Sequence, residues 1–385
     1  SSSTIGMNPN LKPEKTSSIE AGFEAAFWDN RLYLDFTYYK TDSRNQILKL
    51  ATTAASGYTS QVRNAGHIRN RGYEIQLGAV PIQTSKGFRW NLDLNYGANS
   101  SKVVKLDDEG LITSYRLYSS GIQILASVGE AYGTLFGTSY VRDANGNVVV
   151  DANGLPKIST TNKTLGKFTP DWTGGISNTF SYRSLSLSFL IDASVGGSIF
   201  SNTNKTGKYT GVLANTLSGR DAEHGGLWYY TDAMGNNVRL PESPSYSVSS
   251  DGLYYAQVNG QSTRVYQDGI MVEGVTESGS KNEEVVSAEK YYHRIYSIAE
   301  ANVYDASYVK LREVALSYRL PRLWTQKLHL QEASVTLTGR NLWTIYKSVP
   351  NIDPESALTT GNAQGVEAYS LPTTRSFGVN LSVKF

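Results

Sequence analysis

Apolar and polar residues alternate one by one along most of this chain, the period of a β-strand with two unlike faces. Between residues 16 and 28, Ile19, Ala21, Phe23, Ala25 and Phe27 share one face, opposite Ser18, Glu20, Gly22 and Glu24. After a tight turn at Asp29-Asn30, Leu32, Leu34, Phe36 and Tyr38 alternate with Tyr33, Asp35, Thr37 and Tyr39. Tyr73, Ile75, Leu77 and Ala79 repeat the pattern against Glu74 and Gln76, and Phe88, Trp90, Leu92, Leu94 and Tyr96 repeat it against Arg89, Asn91, Asp93 and Asn95. So do Leu185, Leu187, Phe189, Ile191, Ala193 and Val195 against Ser186, Ser188, Asp192 and Ser194. The chain ends on Phe377, Val379, Leu381, Val383 and Phe385, with Ser376, Gly378, Asn380, Ser382 and Lys384 between them.

Strand length narrows the choice of architecture. A soluble sandwich alternates too, but its strands run about 5 to 6 residues, whereas membrane-spanning strands need about 9 to 11. Several segments here alternate for that longer span, with aromatics near the ends of the apolar face, as an interfacial girdle requires. Short turns at 29–30, 81–87 and 182–184 alternate with long connections at 44–67, 143–170, 200–304 and 348–370. Outer-membrane barrels put short turns in the periplasm and long loops outside. The strand at 16–28 and the C-terminal strand should then run in the same direction, which requires an odd number of strands. Ten segments stand out: 16–28, 31–43, 68–80, 88–104, 131–142, 171–183, 185–199, 305–319, 332–347 and 371–385. An eleventh is sought between 105 and 131, where Gly121-Ile122-Gln123-Ile124-Leu125-Ala126 is the candidate. Strand 305–319 should carry a bulge, because Val309 and Leu311 fall out of phase with Val314, Leu316 and Tyr318. Eleven strands with free edges cannot sit in lipid. The fold expected for residues 1–385 is therefore an all-β, antiparallel transmembrane barrel, of which this chain supplies about eleven C-terminal strands out of 22, the size of plugged transporters.

Composition fits that reading. Of 385 residues only 18% are charged, while Gly (35) and Tyr (26) are abundant, so Ser, Thr, Asn and Gly carry the polar face. A formal charge of +2 with no Lys/Arg run gives no footprint for nucleic acid. Without Cys, a disulfide framework or cysteine-based zinc site is excluded. No run of 18 apolar residues marks a membrane helix. The abrupt start, Ser1-Ser2-Ser3-Thr4-Ile5-Gly6, reads as that of a fragment.

Several stretches resemble TonB-dependent transporters of the SusC/RagA type. Asn8-Pro9-Asn10-Leu11-Lys12-Pro13-Glu14-Lys15-Thr16, leading into Ile19-Glu20-Ala21-Gly22-Phe23, is similar to a motif of TonB-dependent receptors in general. Closer to SusC-like proteins are Asn64-Ala65-Gly66-His67-Ile68-Arg69-Asn70-Arg71-Gly72-Tyr73-Glu74 and Val128-Gly129-Glu130-Ala131-Tyr132-Gly133. The same holds for Ala306-Ser307-Tyr308-Val309-Lys310-Leu311-Arg312-Glu313 with Leu320-Pro321, and for Gly339-Arg340-Asn341-Leu342-Trp343-Thr344. The resemblance implies an outer-membrane importer of glycans or peptides, energised by TonB and covered by a SusD-like surface lipoprotein. The plug, the TonB box and the N-terminal strands would lie outside this sequence. It also implies that the terminal aromatic, Phe385, with Val383 and Leu381, is read as an assembly signal.

No chemistry of its own is expected of the chain. No nucleophile elbow or HExxH occurs, so neither an enzyme nor a cofactor or metal site is indicated. Asp143-Ala144-Asn145-Gly146-Asn147 and Asp151-Ala152-Asn153-Gly154 invite a calcium-loop reading, but the positions needing Gly and a carboxylate hold Val148 and Gly154. Hairpin turns explain both stretches better. Asp221, Glu223 and His224 match no metal-ligand spacing. The 200–304 connection holds Trp228-Tyr229-Tyr230, Tyr254-Tyr255 and Tyr291-Tyr292, which either meet substrate or lid, or form the loop's own small core. Two other functions fit the pattern: a SusC-like barrel kept as a scaffold of an outer-membrane assembly, and a secreted all-β adhesin or glycan-binding module.

Overall fold

The computed structural model describes residues 5–6, 8–51, 58, 60–107, 109–327 and 329–385, which leaves Ser1–Thr4 of the abrupt start outside the described residues. One continuous antiparallel sheet of nine strands dominates. In chain order these are β1 (Lys15–Phe27), β2 (Leu32–Arg44), β3 (His67–Gln83), β4 (Phe88–Lys105), β5 (Trp172–Tyr182), β6 (Leu185–Val195), β7 (Tyr308–Arg319), β8 (Glu332–Lys347) and β9 (Ser376–Lys384). Each lies beside its neighbour in sequence, and each has nine or more residues. Among the described residues β1 and β9 are the two edges.

The alternation in sequence becomes two faces in space. One register row runs Phe88–Tyr182–Leu185–Tyr318–Val335–Leu381 across six strands, and the next apolar row runs Trp90–Phe180–Leu187–Leu316–Leu337–Val379. The row between them on the other face is Arg89–Ser181–Ser186–Ser317–Thr336–Asn380. Its hydroxyls bond across the strands, Ser181 to Ser186 at 3.1 Å and Ser317 to Thr336 at 2.8 Å. The apolar rows stay uncovered: Leu187, Leu316, Leu337 and Val379 are all exposed. A soluble protein would bury such a continuous apolar surface.

Two expected strands are not in this sheet. Gly121–Ala126 yields a strand at Ile122–Ser127, and 131–142 yields one at Tyr132–Gly137; both belong to a separate four-stranded sheet with Ser114–Ser120 and Lys163–Lys167. At six residues each they are too short to span a bilayer. Their apolar side chains, Ile124 and Leu135, are wholly buried against Phe200, Ala299 and Val366, so they pack inward on other connections. The wall count is corrected from eleven to nine, still odd, and β1 and β9 run in the same direction. The expected strand 185–199 breaks at Gly196-Gly197, where both residues have positive φ. The bulge in 305–319 is present at Arg312, the extra residue between Leu311 and Glu313, whose β6 partners Ile191 and Leu190 are adjacent.

All short connections lie at one end of the sheet: 28–31, 84–87, 183–184 and 320–331, the last containing a helical turn, Arg322–Lys327. All long ones, 45–66, 106–171, 196–307 and 348–375, lie at the other. The three longest fold together. Ile122, Ile124 and Leu135 from the first, Phe200 and Ala299 from the second and Val366 from the third form one cluster. Ile199, Val349 and Ile352 form another. The connection expected at 200–304 is itself ordered, with helices α1 (Asn202–Thr210) and α2 (Ala288–Tyr296) and a sheet of short strands between them.

Candidate functional site

The folded long connections make a cap over the polar face's open end, and polar bonds tie it to the wall. Lys310, on β7 and almost fully buried, donates to both carboxylate oxygens of Asp353, at 2.7 and 2.9 Å, and also to Glu355. Arg312 bonds Asp192 of β6 at 2.6 Å and reaches Glu355 as well. Burial pushes the carboxyls of Asp353 and Glu355 up, but hydrogen bonds from Lys310, Thr373 and Arg312 outweigh it and hold both below the usual carboxylate range. Within the cap, two connections are joined by Glu367, fully buried, which accepts from Ser201 Oγ at 2.7 Å and Thr203 Oγ1 at 2.6 Å at the start of α1. The carboxylate also accepts from the Thr203 amide at 3.3 Å, at a helix N-terminus, where negative charge is favoured.

The cap contains a cavity of about 690 Å³. Tyr140 contributes from the 106–171 connection, Lys208 from α1, Ile270 from the short-strand sheet, and Tyr291 and Tyr292 from α2. Lys208 is nine-tenths buried and donates to Ala301 O at 2.8 Å and Asn302 Oδ1 at 3.3 Å, both neutral acceptors. Its ammonium lies 5.2 Å from the centre of the Tyr304 ring. Burial lowers its pKa to about 8. Burial likewise raises Tyr140 and Tyr291, and it pushes Tyr304 up to about 12. The buried Tyr304 hydroxyl finds no hydrogen-bond partner among the described residues.

The paired aromatics of 200–304 divide into two groups. Trp228 and Tyr229 are buried in the loop's own sheet, where Trp228 stacks on Tyr246 at 5.1 Å and Tyr229 on Tyr266 at 5.1 Å. Tyr230 and Tyr254 pack on the same cluster, and Tyr255 is half-buried beside it. Tyr291 and Tyr292 sit on α2 at the cavity, their rings edge to face at 5.2 Å. Tyr292 donates to the carbonyls of Asn215 and Ser218, which orients its ring. Lys208 and Tyr140 have no signal in sequence, since each is a lone residue in a polar stretch whose burial depends on contacts far along the chain.

The acidic motifs prove to be turns. Asp143 Oδ1 accepts from the amides of Asn145 and Asn147 at 2.9 and 2.8 Å, and Asp151 Oδ1 from those of Asn153 and Leu155. Asp221 Oδ1 accepts from the His224 amide at 2.9 Å and starts a short helical turn.

Comparison with known proteins decides the family. Residues 1–342 match the family model for the TonB dependent receptor-like β-barrel. This chain belongs to that family. TonB-dependent receptor P3 of Formosa agariphila is 27% identical to it over 98% of the chain, and TonB-dependent receptor SusC of Bacteroides thetaiotaomicron is 25% identical over 98%. The chain spans about a third of these relatives, 35% and 32% of their respective lengths. In solved structures, the RagAB peptide transporter superposes with a TM-score of 0.62 over 98% of the chain and 36% of its own, at 19% identity, and so shares the fold. The SusC/RagA resemblance read in sequence is therefore established, and the nine-stranded sheet is a barrel wall.

The family motifs have physical roles here. Asn64 clasps the backbone of Lys12, accepting its amide and donating to its carbonyl, both at 2.6 Å. Gly72 leaves room for Tyr39, since a Cβ would stand 2.6 Å from the phenol oxygen and 2.4 Å from the Ala98 carbonyl. Gly133, at φ +85°, is overlain by the Phe168 ring where a side chain would be. Asn341, at φ +52°, makes the β8 bulge that swings Leu342 over Gly339.

Proposed function

We propose that this chain is the C-terminal part of the barrel of an outer-membrane importer for glycan or peptide nutrients, with its long connections on the cell surface. Supporting this reading is the placement of every long connection at one end of the wall, with the three longest folded into one cap that holds a cavity. The exposed apolar rows then face lipid, and the polar rows line the lumen. A SusD-like lipoprotein would close on the cap, and TonB would supply energy through segments outside this chain. Tyr291 and Tyr292, at the cavity, are the paired aromatics best placed to meet substrate. Tyr230, Tyr254 and Tyr255 would meet the lid, while Trp228 and Tyr229 support them from beneath. Phe385, with Val383 and Leu381, would serve as the assembly signal.

Two experiments on the full-length protein test this. Protease added to intact cells should cut at the hairpin tip around Met234, which is 84% exposed, whereas cutting only after lysis would reverse the orientation. Uptake of labelled oligosaccharide or oligopeptide should require both this protein and TonB. Uptake unaffected by loss of the protein would favour a scaffold.

A further inference from the structure

The cap cavity holds an ammonium, that of Lys208, which makes no ion pair among the described residues. Lys208 is buried, and its two acceptors, Ala301 O and Asn302 Oδ1, carry no charge. Burying an ammonium is costly unless an opposite charge meets it. The position of Lys208 in the last turn of α1 favours a cation there, but the same benefit is available to a lysine extended into water. Tyr140 and Tyr291 line the same cavity, and their hydroxyls make no hydrogen bond among the described residues. The remaining lining is mixed, with Leu227, Ile270 and Ile295 beside polar residues and one acidic residue, Glu273. Its volume of about 690 Å³ lies within the roughly 300–1,000 Å³ of small-molecule sites.

We infer that this cavity binds a small ligand bearing a single carboxylate, with Lys208 as its counter-charge, the Tyr140 and Tyr291 hydroxyls as further donors, and its uncharged body against Leu227, Ile270 and Ile295. One ammonium matches one carboxylate; a doubly charged phosphate would bring a second negative charge into a lining that already holds Glu273 and in which Lys208 is the one cation among the described residues. Sugar acids and peptide C-termini both present this chemistry. The assignment concerns binding alone and holds whether or not the ligand is then imported.

Binding is measured by titration calorimetry on the full-length protein purified in detergent. The probes are two matched pairs: D-glucuronate with D-glucose, and N-acetyl-Gly-Leu with its C-terminal amide. At least one acid should bind roughly tenfold or more tightly than its neutral partner, as expected for a charge-assisted contact, and the pair that discriminates identifies the source of the carboxylate. Lys208→Met should reduce that preference to about twofold or less, and Lys208→Arg should restore most of it. Tyr291→Phe should weaken the acid by several-fold and leave the neutral probe unchanged. If Lys208→Met fails to fold, the wild-type comparison and Tyr291→Phe still decide. Equal affinity of acid and neutral partner in both pairs, or a folded Lys208→Met that keeps the preference, overturns the assignment. Transport assays read the import proposal separately, so failure of either leaves the other standing.

Discussion

The indole Nε1 of Trp90 donates to Oδ1 of Asn178 at 3.0 Å, joining β4 and β5 on the apolar face of the wall. Asn178 stands in the row Leu92–Asn178–Phe189, and little of it is accessible because the rings of Trp90, Phe180 and Phe189 stack around it. An amide facing hydrocarbon has no water to turn to, so its partner must be another side chain. Trp90→Phe should therefore lower stability by about 1–3 kcal/mol by leaving the amide oxygen unsatisfied. The double variant Trp90→Phe/Asn178→Leu should recover most of that loss. Urea unfolding in detergent micelles measures both, and an additive double variant would show that the bond is not what matters.

Leu187 and its neighbour Ser188 point to opposite faces of β6. An arginine on a lipid face at mid-bilayer costs about 2–4 kcal/mol, whereas a lumen position tolerates it. Leu187→Arg should cut the amount of folded barrel in the outer membrane far more than Ser188→Arg. Similar yields for the two variants would reverse the assignment of faces.

Lys310 and Asp353 fasten the 348–375 connection to the wall. Replacing Lys310 by Met leaves the Asp353 carboxylate buried without its cation, at a cost of about 3–5 kcal/mol. Hydrogen exchange across residues 349–370 should rise sharply in the variant, with the strands β5 and β6 unaffected.

The same anchor gives a pH dependence whose sign is set by the depressed carboxyls. Asp353 and Glu355 titrate lower in the folded cap than in the unfolded chain. Their stabilisation is complete above the ordinary carboxylate range, about pH 4, and is lost as pH falls through the lowered values. Exchange in this connection, corrected for its intrinsic rate, should be flat from pH 5 to 8 and increase only in stronger acid. Loosening near neutral pH would mean that other groups control it.

Phe385 follows the last residue of β9 and is 84% exposed. If it is both an interface anchor and an assembly signal, Phe385→Asp should lower the folded amount in the outer membrane several-fold while synthesis continues. Normal levels of folded Phe385→Asp protein would reduce it to a lipid-facing side chain.

What the chain determined locally was the wall. Strand identity, the two faces and the long-short alternation of connections all depend on neighbours two residues apart or on local length, and period-two alternation records them directly. Even the β7 bulge was legible, because Val309 and Leu311 break phase with Val314. Alternation by itself did not distinguish a strand of the wall from one in the cap. Ile122, Ile124 and Ala126 alternate with Gln123 and Ser127 as in a wall strand, and only the contacts of this segment and of Tyr132–Gly137 with Phe200 and Val366, from other connections, place them elsewhere. The cap cavity was illegible for the same reason. Tyr140, Lys208 and Tyr291 lie far apart in sequence, and the cavity they share exists only once the 106–171 and 196–307 connections have packed together. Tertiary structure alone decided that, because desolvation belongs to a place in the fold and no residue carries it in advance.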